Sequence, residues 1–154
     1  MNKIVTENSQ VGAPASEWDI IGADDGSIEG FATEMSVNLG EAVHFKIKTV
    51  ATAYRLDIYR MGYYEGNGAR KVATIQPSVA LPQFQPPGLL DATSRLLDCG
   101  NWAVSASWSA PTSAISGIYF AKLVREDGNP GAAHIFFIGG YSFSGSAARL
   151  ANRV

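Results

Sequence analysis

The sequence predicts an all-β fold, an immunoglobulin-like antiparallel β-sandwich of about seven strands. Three observations carry this reading. Sixteen glycines and seven prolines fall among turn signals at short spacing, the punctuation of a chain that reverses often. Several runs between those signals alternate apolar and polar residues with a period of two, the mark of strands with one buried face. The length of 154 residues, 46% of them hydrophobic and 17% charged, suits a single domain with a core of its own.

The elements follow in order. GFATEMSV is extended and puts Phe31, Met35 and Val37 on one side. SVNLG supplies a turn, and EAVHFKIKT then sets Val43, Phe45 and Ile47 against His44, Lys46 and Lys48, so the two stretches read as a first hairpin. YRLDIYRM is the third strand, with Leu56 and Ile58 inward and Arg55, Asp57 and Tyr59 forming a cross-strand cluster on a solvated face. GYYEGNG reverses the chain, because Asn67-Gly68 readily takes positive φ, and ARKVATI returns. Pro77, Pro82, Pro86 and Pro87 forbid regular pairing over a long loop that runs to about Gly100. NWAVSASW aligns Trp102, Val104, Ala106 and Trp108 on one face, which makes both tryptophans core anchors. SGIYFAKLV and AAHIFFI flank the turn REDGNPG as a final hairpin, and Tyr119 stands where sandwich domains set a tyrosine corner. Residues 1–140 form the domain. Residues 141–154 are a Gly/Ser-rich tail, weakly helical at SAARLANRV.

Composition excludes several partners. A formal net charge of −2 leaves no basic footprint for nucleic acid, and no apolar run reaches membrane-spanning length. The opening MNKIVTENSQ is too short and polar for a secretory apolar region. Cys99 is the only cysteine and His44 and His134 the only histidines, so an internal disulfide and a multi-cysteine metal site are ruled out. The sequence has no nucleophile elbow, zincin helix, phosphate loop or dinucleotide fingerprint, and no cofactor is expected.

Two sets of residues stand out as candidates. Tyr63, Tyr64 and Arg70 at the hairpin tip, with Tyr59 beside them, could build a stacking platform with a cationic edge for a glycan or small molecule. The alternative is that one tyrosine packs down while the other fills the turn. The last two strands are apolar on both faces: Ile118, Phe120, Phe136 and Ile138 lie opposite the residues that fill the core. That outer face needs cover, from the tail, a second copy or a neighbouring domain. Asp19, Asp24, Asp25 and Glu29 match no EF-hand spacing and read as an ordinary acidic turn.

The stretches ENSQVGAPASEWDI, SIEGFATEMSVNLGEAVHFKI, DIYRMGYYEGNGARKVATI, DCGNWAVSASW and SGIYFAKLVRED resemble the all-β domain beside the catalytic domain in bacterial proteins similar to the large subunit of N,N-dimethylformamidase. The resemblance spans roughly residues 7–138. It implies a non-catalytic accessory module that docks on the catalytic domain of its parent protein or on another copy of itself, in a secreted or periplasmic setting. In that family, amide hydrolysis is attributed to an iron held by tyrosine and glutamate in a separate downstream domain. The sequence departs from the family in two places. Glu65 stands where glycine is usual, and Cys99 lacks the second cysteine that the family often carries in the proline-rich loop. Two other function classes stay open: a small amidase or esterase at the Tyr63/Tyr64/Arg70 rim with His44 or a bound metal, and a carbohydrate-binding module using the same tyrosines.

Overall fold

A computed structural model describes residues 2–21 and 26–141. Two short helices, α1 (Lys3–Asn8) and α2 (Ala15–Trp18), precede ten strands: β1 (Ile28–Ala32), β2 (Ser36–Asn38), β3 (Ala42–Thr49), β4 (Tyr54–Met61), β5 (Ala69–Ile75), β6 (Leu89–Leu90), β7 (Leu97–Asp98), β8 (Ala106–Ser109), β9 (Gly117–Arg125) and β10 (Ala132–Tyr141). The order β1-β3-β8 makes one sheet and β2-β10-β9-β4-β5 the other, while β6 and β7 form a separate ribbon. The two larger sheets face each other across one core, as an all-β sandwich requires.

Alternation sets that core. Val43, Phe45 and Ile47 of β3 meet Leu56 and Ile58 of β4, Tyr119, Ala121 and Leu123 of β9, and Ile135 and Phe137 of β10, all at most 5% exposed. Phe45, Trp108, Tyr119 and Phe137 pack as one aromatic group, with ring centroids 5.6–5.8 Å apart. Tyr119 makes the expected corner: its hydroxyl donates to the Ile115 carbonyl at 2.6 Å, and burial pushes its phenol up to about 12.

The structure corrects five local readings. GFATEMSV is not one strand: β1 pairs with β3 antiparallel, from Ile28↔Thr49 to Ala32↔Phe45, while β2 crosses to the other sheet and pairs with β10 in parallel. The bend at residues 33–35 breaks the alternation, so Val37 is buried but Met35 is 67% exposed. The SVNLG turn is therefore an arch between sheets and not a hairpin.

NWAVSASW contributes only β8, with Trp108 in the core. Trp102 lies in the preceding loop, where its indole N–H donates to Pro86 at 3.0 Å and its ring leans on Phe31. Ser105 ends the strand period, because its hydroxyl accepts from the Ile47 N–H and donates to the Ile47 carbonyl. Within the proline-rich loop, β6 and β7 pair over two residues each where no pairing was expected.

In the hairpin turn, Gly68 takes φ +84° but Asn67 stays at −73°. The remaining left-handed positions fall on Tyr64, Glu65 and Gly66. The fifth correction is to the outer face of β4. Asp57 is 2% exposed and Tyr59 fully buried, because the N-terminal segment lies over them. The tail beyond Tyr141, and Asp24 and Asp25 of the acidic turn, lie outside the described residues.

Candidate functional site

The polar residues of β4, β5 and the hairpin between them converge under the N-terminal segment. Arg60 is the centre. It is 4% exposed, and its guanidinium donates to the carbonyls of Ile115, Met61 and Ser116, to Asn8 Oδ1, and to the Tyr64 hydroxyl at 2.9 Å. A Cβ at position 117 would sit 3.0 Å from Arg60 Nε, so Gly117 makes the room in which this cation is held. A buried guanidinium is costly unless its donors are used, and here the loop carbonyls and Tyr64 use them.

Tyr64 passes the interaction on. Its hydroxyl donates to Glu7 Oε1 at 2.9 Å, and the same oxygen accepts from Arg70 Nε at 2.9 Å and from Arg70 Nη2. Both guanidinium groups also lie about 6 Å from the Tyr64 ring centroid, 6.0 Å for Arg60 and 5.9 Å for Arg70, within cation–π range. Burial raises the Tyr64 phenol above its ordinary value, so it stays a donor to Glu7.

A second cluster lies beside the first. Glu17 accepts from the Tyr59 hydroxyl at 2.9 Å and pairs with Lys71 at 2.9 Å. The Lys71 ammonium, and then the Tyr59 hydroxyl, hold the Glu17 carboxyl below its usual value. Burial, followed by the Glu17 acceptor, drives the Tyr59 phenol well above its own. Buried Asp57 accepts from Thr74 at 2.8 Å and from Arg55 at 3.1 and 3.2 Å.

Of the four residues expected to bind a ligand, Tyr59, Tyr64 and Arg70 are therefore engaged within the chain, and Tyr63 alone presents its ring, 70% exposed. Tyr64 packs down, while Tyr63 leaves its ring in solvent. His44 lies on the outer face of the three-stranded sheet, with Nδ1 2.7 Å from the Ser107 hydroxyl. The hairpin belongs to the opposite sheet, so the core separates His44 from the Tyr63/Tyr64/Arg70 rim.

The four residues expected at an interface divide in the same way. Ile118 and Phe136 are 51% and 57% exposed, Ile138 is half-buried, and Phe120 is 1% exposed. Phe120 is covered by Trp18 at 6.1 Å, stacks on Tyr59 at 5.2 Å and touches the His134 ring at 4.8 Å. Part of the cover thus comes from the N-terminal segment, which was not among the expected sources.

Cys99 is a free, partly exposed thiol in an open cleft of about 560 Å³, whose lining also includes Phe31, Lys48, Pro86, Leu97 and Trp102. No group of three or more metal-ligating side chains occurs among the described residues. The tyrosine–glutamate pairs here do not fit an iron ion, because Arg60, Arg70 and Lys71 already supply the positive charge at both.

The family model described as N,N-dimethylformamidase beta subunit-like, C-terminal, matches residues 55–148. The chain belongs to this family. The match to the N,N-dimethylformamidase beta subunit-like family takes in the hairpin, the proline-rich loop and the β9–β10 pair, and begins after the N-terminal segment and β1–β3. No curated protein matches the chain.

Proposed function

We propose that this chain is a non-catalytic accessory module of a larger protein similar to N,N-dimethylformamidase, and that it docks on the catalytic domain of that protein. The observation that carries the reading is the outer face of β9 and β10. Ile118 and Phe136 stand exposed there beside half-buried Ile138, in line with the covered Phe120. Two large apolar side chains at that exposure, continuous with a surface that already takes an intramolecular cover, favour burial against a protein partner.

The docking face is an immunoglobulin-like sandwich sheet, a reading favoured by the Tyr119 corner, and the setting is secreted or periplasmic. The test is co-purification with the catalytic domain, comparing the native chain with Ile118→Asp and Phe136→Asp. Loss of the complex with an unchanged melting temperature is the expected result. A complex that both variants retain would overturn the assignment of this face. A second copy as the occupant would appear as a dimer, sensitive to the same variants, in sedimentation of the chain alone.

A further inference from the structure

Residues 7–18 lie against the β4–β5 hairpin as a bound peptide would. Helix α1 has six residues and α2 four, and no residue of either is fully buried. Helices this short do not persist alone in water, so the segment takes its order from what it touches. At one end Glu7 meets Tyr64 and Arg70. In the middle the Ala13 N–H donates to the Ala69 carbonyl at 2.8 Å, an antiparallel bridge to β5. At the other end the Trp18 indole N–H reaches the Asn67 carbonyl at 3.1 Å, and its ring caps Phe120.

The strands also hold the segment's main chain. His134 Nε2 lies 2.7 Å from the Trp18 carbonyl, and Lys122 donates to the Glu17 carbonyl at 2.7 Å and to that of Asp19 at 3.2 Å. The fit is close: a Cβ at Gly12 would stand 2.6 Å from Asn67 Cβ and 2.7 Å from Tyr64 Cβ. Main-chain bonds to a sheet edge combined with side-chain pockets are how extended peptides are recognised. An occupant fastened at a few points on the surface belongs to the least stable part of a structure.

We propose that the hairpin and the adjoining face of β9–β10 form a binding site for a peptide segment carrying a carboxylate and a distal indole, that residues 7–18 occupy it in cis, and that the same segment of a second copy takes it in trans. The receiving groups are Arg70 and Tyr64 for the carboxylate, the Ala69 carbonyl for the main chain, and Phe120 and His134 for the indole end. The tethered segment competes at an effective concentration on the order of millimolar. Exchange between copies therefore needs the resident segment weakened.

The probe is a fluorescent synthetic peptide of residues 2–21, titrated into the full chain and into a full chain carrying Glu7→Gln and Trp18→Ala, which leaves every receiving residue intact. Binding to the double variant should be at least tenfold tighter than to the native chain, and a peptide with the same two substitutions should not bind. Equal affinity for both chains, or affinity indifferent to the peptide's own Glu7 and Trp18, overturns the proposal. Native-state hydrogen exchange on the unaltered chain gives a reading that needs no variant. The Ala13 amide should exchange through an opening that leaves the β4 and β9 amides protected; exchange of all three together, only on global unfolding, overturns the proposal equally. If the double variant does not fold, the Trp18→Ala chain carries the titration with the same outcomes. Loss of docking by the Ile118 and Phe136 variants would leave these results unchanged, so the two proposals fail separately.

Discussion

Removing one oxygen atom from Tyr64 tests whether the hairpin tip is framework or site. Tyr64→Phe keeps the buried ring but deletes the hydroxyl that accepts from Arg60 and donates to Glu7, each at 2.9 Å. A hydrogen bond to a charged group contributes about 1.5–3 kcal/mol. Both partners retain other contacts, Arg60 with four acceptors and Glu7 with Arg70, so a loss of about 2 kcal/mol is expected and not the sum of two full bonds. At roughly 2–4 °C per kcal/mol for a domain of this size, the melting temperature should fall by about 4–8 °C. Tyr64→Ala removes the ring as well and should cost about 3–5 kcal/mol or more. Tyr63→Ala, at a side chain 70% exposed, should stay within about 0.5 kcal/mol. Urea unfolding monitored by circular dichroism gives all three values. A Tyr63→Ala loss larger than that of Tyr64→Phe would refute the argument, since it would mean that the exposed ring and not the buried hydroxyl holds the turn.

Other perturbations have equally definite outcomes. Leu56→Ala empties a fully buried position between the sheets and should cost about 2–5 kcal/mol in the same assay. Glu65 sits at φ +57° with its side chain exposed, so Glu65→Gly should stabilise the chain by about 0.5–1 kcal/mol, the strain relieved exceeding the added chain entropy. Burial, above all, holds the His134 imidazole below its ordinary value. The unfolded chain then binds the proton more readily, so His134 contributes stability that is complete above about pH 6.5 and declines as pH falls through that value. Melting curves from pH 8 to pH 5 should show a drop that His134→Gln reduces. Cys99, partly exposed and free, should react with a thiol reagent in native buffer, more slowly than in denaturant; no native reaction would mean that the cleft is closed.

The alternation of EAVHFKIKT and of YRLDIYRM made the core legible, because a period of two leaves little choice about which side chains share a face. Tyr119 was legible for a similar reason, its corner being a local bond from residue 119 to residue 115. What escaped was non-local. KIVTEN and ASEW carry no apolar stripe, and their polar contacts reach Arg60, Tyr64, Arg70 and Lys71, 52–63 residues away, through single polar atoms. Nothing in the spacing of YRLDIYRM shows that a second layer turns its charged face into an interior. Trp102 and Trp108 look equivalent in sequence because both obey the period. Only the two hydrogen bonds between Ser105 and Ile47 separate them. Arg60 shares the inward parity of Leu56 and Ile58, but the period does not show which carbonyls and which hydroxyl would receive its donors.

The strand order β2-β10-β9-β4-β5 fixes when the molecule can become whole as it is made. The strands at the centre of the larger sheet, β10, β9 and β4, include the last two in the sequence. When β4 has been made, the strand that completes β2 begins about seventy residues further along the chain, and Leu56 and Ile58 have no β9 to pack beside. Such exposed edges invite wrong pairing until they are covered. A nascent chain stopped before Gly117 would therefore be a client for chaperones, and stable compaction should begin only when β9 and β10 emerge together as a hairpin and insert between β2 and β4.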